Sequence, residues 1–302
     1  MQEWKRFARS KQKTDIRRKN MAEILKGKPV ADAIKADVAE RADQLISEGI
    51  LPTLAILRAG ECEDDIAYER RIIKNCEQVH IRVKAETFPE DVSRDVFLQT
   101  LQRFSDDSEI HGILVLRPLP EQIDNEEAGR IIRPKKDVDC MNPENLRKVF
   151  MGDASAVAPC TPEAVIEILK HYGYTLQGKN VVIANRSLVL GKPLSMLFLD
   201  ENATVTVCHS RTEELAKIAS KADIFVSGIG RPRYFGKEYV SQNTTVIDVG
   251  INFAEDGSMC GDMKYDEIVD IVPAITPVPG GIGTVTSSIL LRHLIESAEL
   301  SI

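Results

Sequence analysis

The protein has 302 residues, 43% hydrophobic and 28% charged, with a formal net charge of −7. That length suits two cores of about 150 residues each; no apolar run nears the roughly 18 residues of a membrane span, and the acidic balance argues against nucleic acid as a partner. Six cysteines (62, 76, 140, 160, 208 and 260) lie far apart without a C-x-x-C pair, so neither a disulfide framework nor a metal site is expected, and a reducing cytoplasm fits.

The first twenty residues carry eight Lys or Arg against Glu3 and Asp15, which leaves the remainder near −13. Lacking an apolar h-region, residues 1–20 read as a basic, solvated extension with Met21 opening the folded part, a transit peptide being the alternative. Apolar residues then recur at helical spacing from Pro29 to Ile46 (Val30, Ile34, Val38, Ala42, Leu45) and stop near Gly49. Leu54 to Leu57 reads as a buried strand, Gly60 to Asp65 as an acidic loop and Ile66 to Val79 as a second helix. Ile81 to Thr87 alternates as a strand, Ser93 caps a helix running to Phe104, and Gly112 to Leu116 is a strand closed by Pro118 and Pro120. Alternating strands and helices imply a parallel sheet flanked by helices. From Pro134 to Pro162 the chain reads as a long connection and the domain boundary.

After a helix from Pro162 to Tyr172, Val181, Val182 and Ile183 form a β-branched run suited to a buried parallel strand. The polar turn Asn185-Arg186-Ser187 follows, then Gly191 and Lys192-Pro193 opening an apolar helix. A helix start leaves backbone N–H groups unpaired, so this turn either holds a phosphate or is ordinary turn chemistry. The next strand, Thr204 to Cys208, ends in His209-Ser210-Arg211-Thr212. In a dinucleotide fold the end of the second strand meets the adenosine ribose, and Ser210 and Arg211 there, with Arg186 on the first turn, suit a 2′-phosphate, favouring NADP over NAD. Asp223 to Ser227 and Thr245 to Val249 add two strands, four in all. Ile275 to Thr286 is Pro- and Gly-rich, either an interdomain turn or a close backbone approach to a ligand, and Ser287 to Ala298 is a terminal helix.

The segments KDVDC (136–140), PCTP (159–162), NRSLVLGKP (185–193), VTVCHSRT (205–212), IDVGIN (247–252), GDM (261–263) and TPVPGGIGTVT (276–286) stand in the order and spacing of one family. Together they resemble the bifunctional methylenetetrahydrofolate dehydrogenase / methenyltetrahydrofolate cyclohydrolase family over essentially all of 21–302. The resemblance implies a two-domain α/β fold: a folate domain of 21–160 plus 285–302, facing a Rossmann-like NADP domain of 161–284 across a cleft. It implies NADP-dependent oxidation of methylenetetrahydrofolate in the cytoplasm, tetrahydrofolate derivatives as the small-molecule partners, no membrane partner, and a homodimer. By the same resemblance NADP falls on Asn185, Arg186, Ser187, Gly191, Ser210, Gly281 and Thr286. Folate falls on Tyr68, Asp139, Pro279 and Gly280, with Tyr68 and Asp139 in the catalytic roles.

The departures are chemical. Tyr68, Lys74 and Cys76 keep the family register, but the cyclohydrolase lysine position is Ile72, and the Gln that supports that lysine is Leu116. At about 100° per residue Lys74 points roughly 200° from Ile72 and cannot replace it; Arg71 lies nearer Tyr68, yet a guanidinium does not give up its proton. A lysine tuned for proton transfer needs a polar neighbour, so cyclohydrolase activity is expected to be weak or absent. Glu61, Glu63, Asp64 and Asp65 either repel an anionic folate tail or form a solvated cluster at a helix start. Cys140 and Asn185 stand where the family has Gly, Asn185 being tolerant of a left-handed backbone. The altered folate-facing positions leave two alternatives: a noncatalytic folate- or nucleotide-binding relative, or an enzyme of this scaffold with another substrate.

Overall fold

The computed structural model describes residues 22–301, so the basic extension 1–20 and Met21 lie outside the described residues. In chain order the first elements are β1 (Glu23–Ile24), α1 (Gly27–Ser47), β2 (Thr53–Ala59), α2 (Glu63–Gln78), β3 (Arg82–Phe88), α3 (Arg94–Asp106), β4 (Gly112–Val115), α4 (Asn125–Ile131), α5 (Pro143–Met151) and α6 (Cys160–His171). Then come β5 (Asn180–Ala184), α7 (Gly191–Asp200), β6 (Thr204–Cys208), α8 (Leu215–Ala219), β7 (Ile224–Ser227), β8 (Thr245–Asp248), β9 (Asn252–Phe253), β10 (Met259–Cys260), α9 (Tyr265–Ile268), β11 (Ala274–Ile275) and α10 (Ile282–Glu299). No helix among the described residues is long and apolar enough to cross a membrane. The chain divides into two units, residues 28–167 with 284–301 and residues 22–27 with 168–283.

The first unit is built on a three-stranded parallel sheet, order β3-β2-β4. Its middle strand, β2, is an unbroken apolar run from Leu54 to Leu57, all buried, as a strand covered on both faces requires. Phe88, Phe97, Leu101, Ile110 and Ile113 form the core on one side. Ser93 caps α3, its hydroxyl accepting from the Val96 N–H at 3.4 Å. The terminal helix α10 completes this unit: Ser297 Oγ donates to the His111 carbonyl at 2.6 Å, and Arg41 of α1 pairs with Glu299 at 2.7 Å. A Cβ at Gly112 would overlap the side chains of Leu294 and Val138, so the Leu294 side chain of α10 packs directly on the β4 backbone there.

The stretch read as a connection holds structure of its own. Asn142 caps α5, accepting from the Glu144 N–H at 2.8 Å, Pro143 is its first residue, and Gly152 ends it at φ 65°. Buried Asp137 ties the loop before it, accepting from the Met141 and Asn142 N–H groups at 2.8 Å each and from Asn145 Nδ2 at 2.9 Å.

The second unit is a six-stranded parallel sheet, order β1-β11-β8-β7-β5-β6. The sequence showed four of these strands; β1 and β11 are two residues each, too short for any periodic signal. Because Glu23 pairs with Ala274 and Ile24 with Ile275, residues 22–27 belong to this sheet rather than to the folate domain assigned from the sequence. The strand order reverses between β5 and β7, and in open α/β sheets ligands bind beyond the strand ends at such a switch point.

Candidate functional site

At that switch point the turn after β5 is organised by one side chain. Asn185 Oδ1 accepts hydrogen bonds from the Ser187 N–H (2.8 Å), the Ser187 hydroxyl (2.8 Å) and the Gly191 N–H (2.9 Å), while its Nδ2 donates to the Gly228 carbonyl after β7. Asn185 is not among the residues with positive φ, so the left-handed tolerance expected of it is not what the position uses. Gly191 is required, because a Cβ there would overlap the Asn185 backbone carbonyl. β5 and β6 pair in register at Ala184 and Cys208, and two residues beyond that pair stand Arg186 and Ser210, both exposed. His209 shapes this second turn: its N–H donates to Thr212 Oγ1 at 2.9 Å and its Nδ1 accepts from the Arg211 N–H at 3.2 Å.

Two buried carboxylates brace the neighbouring loops. Asp248, at the end of β8, accepts from the N–H groups of Gly250 (3.0 Å), Asp262 (3.1 Å) and Met263 (2.9 Å), and burial pushes its carboxyl up to about 6. Asp262 accepts from the N–H groups of Ile229 (2.6 Å) and Arg231 (3.0 Å) and from Asn252 Nδ2 (3.0 Å). Cβ atoms at Gly250 and Gly261 would overlap the Asp262 and Asp248 carboxyls, so each Asp closes on a glycine. The IDVGIN and GDM motifs are thus one buried brace. The 276–281 turn is also built close: a Cβ at Gly281 would meet the Pro277 carbonyl, Gly280 has φ 99°, and its carbonyl accepts from the Gly27 N–H at 2.8 Å.

In the first unit Tyr68, on α2, sits among Asp139, Cys160, Arg71 and Arg117; burial and the Asp139 charge hold its phenol well above the ordinary value. Arg117, just past β4, donates to Asp139 Oδ2 at 3.0 Å, both side chains about 30% exposed (30% and 33%). Behind Asp139 the Val138 carbonyl accepts from Cys160 Sγ at 3.3 Å and from His293 Nδ1 at 2.9 Å, and His293 Nε2 meets Glu163 at 2.8 Å. Burial opposes a charge on His293, but the Glu163 carboxylate outweighs it and raises the imidazole to about 9. Cys140 adopts φ 55°, in the left-handed region that favours glycine.

One turn beyond Tyr68, Ile72 is fully buried, and Leu116 is 5% exposed. Lys74 is exposed on another face of α2. Below Ile72, buried Asn75 accepts from Lys35 Nζ at 2.7 Å and donates to Ser287 Oγ at 3.2 Å. A second ion pair flanks Tyr68: Arg58 Nε meets Glu69 Oε2 at 2.6 Å, about 10% exposed on each side (11% and 10%), and the Arg58 guanidinium also reaches the Gly60 carbonyl.

The structure therefore gathers Tyr68, Asp139, Ile72 and Leu116 in one unit, and Asn185, Arg186, Ser187, Gly191, Ser210 and Gly281 in the other. Pro279 and Gly280 lie in the second unit's 276–281 turn, and Thr286 lies in the part of α10 that belongs to the first. Arg117, Glu163, His293, Asp248 and Asp262 were given no role from the sequence. For the two aspartates the repeated Asp–Gly context was the available signal; for the others the contacts span 22 to 155 residues of chain.

Comparison with known proteins covers almost the whole chain. A family model described as the catalytic domain of tetrahydrofolate dehydrogenase/cyclohydrolase matches residues 25–139, and one described as its NAD(P)-binding domain matches 159–302. A curated relative from Clostridium botulinum, "Bifunctional protein FolD", is 50% identical over 279 residues, 92% of this chain and 99% of that one. A crystal structure of the bifunctional enzyme FolD from Campylobacter jejuni aligns with TM-score 0.91 at 33% identity, covering 93% of this chain and all (100%) of that one. The Trypanosoma brucei methylenetetrahydrofolate dehydrogenase-cyclohydrolase, solved with NADP cofactor and an inhibitor, aligns with TM-score 0.88 at 32% identity, covering 93% and 98%.

Proposed function

The chain belongs to the tetrahydrofolate dehydrogenase/cyclohydrolase family, and we propose that it oxidises 5,10-methylenetetrahydrofolate to the methenyl form with NADP and hydrolyses that product poorly or not at all. NADP, when bound, supplies the hydride acceptor. The residues offered to it are the turn 185–191 for the pyrophosphate and Arg186 with Ser210 for the 2′-phosphate. Tyr68 and Asp139 hold the pterin, Tyr68 as a neutral phenol that keeps its proton and Asp139 as an acceptor for ring N–H groups; Pro279, Gly280, Gly281 and Thr286 keep the roles the resemblance gives them. Hydride transfer depends on positioning rather than on an acid or base, so it survives without an amine at position 72.

The observation that carries the second half of the proposal is Ile72, wholly buried and apolar where hydrolysis calls for a proton carrier, with Leu116 as its apolar counterpart. The assay supplies methylenetetrahydrofolate and NADP, follows methenyl formation, then compares the decay of the methenyl product with and without protein. Methenyl formation with unaccelerated decay is the expected result; no methenyl signal overturns the dehydrogenase assignment, and accelerated decay overturns the reading of Ile72. The double variant Ile72→Lys/Leu116→Gln is expected to raise hydrolysis measurably above wild type. The charge pairs Arg58–Glu69 and Arg117–Asp139 favour one alternative, an altered substrate on the same scaffold, and the same assay decides it.

A further inference from the structure

The charges around Tyr68 carry a consequence for which folate the site retains. Two guanidinium groups, Arg71 and Arg117, and one carboxylate, Asp139, act on the Tyr68 hydroxyl, and Arg117 donates directly to Asp139 at 3.0 Å. The Arg117–Asp139 pair is two-thirds withdrawn from solvent, so its field is only partly screened. The proposed reaction changes the charge of the reacting ring: removal of hydride from the methylene carbon leaves an N–CH–N amidinium, a cation, where the substrate was neutral.

We propose that Arg117 is a specificity-determining residue that neutralises Asp139 and so denies the methenyl cation a counter-ion, making the site favour the neutral substrate and release the cationic product unhydrolysed. The inference rests on the folate reading of this site and adds to it the basis on which one folate is distinguished from the other. Replacing Arg117 with leucine leaves Asp139 bare beside the ring, and a bare carboxylate attracts a cation more than a neutral ring.

The test measures dissociation constants of methenyltetrahydrofolate and of tetrahydrofolate, the latter neutral at its ring, for wild type, Arg117→Leu and Arg117→Lys. Arg117→Leu is expected to shift the ratio of the two constants about three- to ten-fold toward the methenyl cation. Arg117→Lys keeps the wild-type ratio, and 0.5 M salt shrinks the difference between wild type and Arg117→Leu. A ratio unmoved by Arg117→Leu, or moved toward tetrahydrofolate, overturns the inference while leaving the dehydrogenase reading intact. Failure of wild type to bind either folate overturns both. Should Arg117→Leu fail to fold, by loss of its circular dichroism, Arg117→Gln removes the same charge and decides the matter by the same ratio.

Discussion

Asn185 organises its turn with a single amide. Its oxygen gathers three donors of the turn and its nitrogen holds the Gly228 carbonyl, so the loops after β5 and β7 are fixed before any ligand arrives. Asn185→Asp keeps the acceptor, loses the donor to Gly228 and adds a negative charge beside the turn proposed to hold the cofactor's phosphates. The variant is expected to lose about 1–3 kcal/mol in urea unfolding through the unpaired carbonyl, and to weaken NADP binding about ten-fold or more by charge repulsion in a fluorescence titration. The identity of this residue was legible in the sequence and its work was not. A reading of local backbone tolerance could not see Gly228, 43 positions away. Ile72 is the opposite case: helical spacing alone separated it from Lys74, and the buried isoleucine and exposed lysine follow that spacing.

Among the elements, α7 depends most on a single contact. Its first residue, Gly191, lies so close to the Asn185 carbonyl that any side chain must push the turn away from the strand. Gly191→Ala is expected to cost about 1–3 kcal/mol by overpacking and to abolish most of the rise in melting temperature that saturating NADP gives the wild type. The helices α1 and α3 were legible from the apolar period of their one buried face, and the strands β2 and β5 from unbroken apolar runs. Two short helices were not. α4 and α5, of 7 and 9 residues, carry proper caps at Asp124 and Asn142, but Pro134, Pro143 and Pro159 around them read as loop punctuation. The start of α10 at Ile282 rather than Ser287 was hidden by Gly283 and two threonines, residues whose intrinsic preference is against helix.

At the scale of the molecule, stability and acidity meet in the part-buried Glu163–His293 pair joining α6 to α10. His293 is raised from 6.5 to about 9, so its contribution is complete below about pH 6.5 and is lost as pH climbs through 9. Burial opposes the Glu163 charge, but His293 and Arg292 bring its carboxyl down to about 2, so its contribution is complete above about pH 4.5 and is lost only as pH falls through 2. The free energy of urea unfolding is therefore expected to fall by about 2–3 kcal/mol between pH 6.5 and 9, with His293→Gln flattening that slope. The two-domain α/β organisation was legible from the alternation of strands and helices, whereas the exact seams were not, because a strand of two residues decides one of them. That strand, β1, has a temporal consequence. Its partner β11 lies some 250 residues downstream, and the other unit likewise needs α10 for closure. A nascent polypeptide emerging from the ribosome thus holds this strand idle until some 250 further residues have followed it, and its sheet cannot close before Ala274 and Ile275 have emerged.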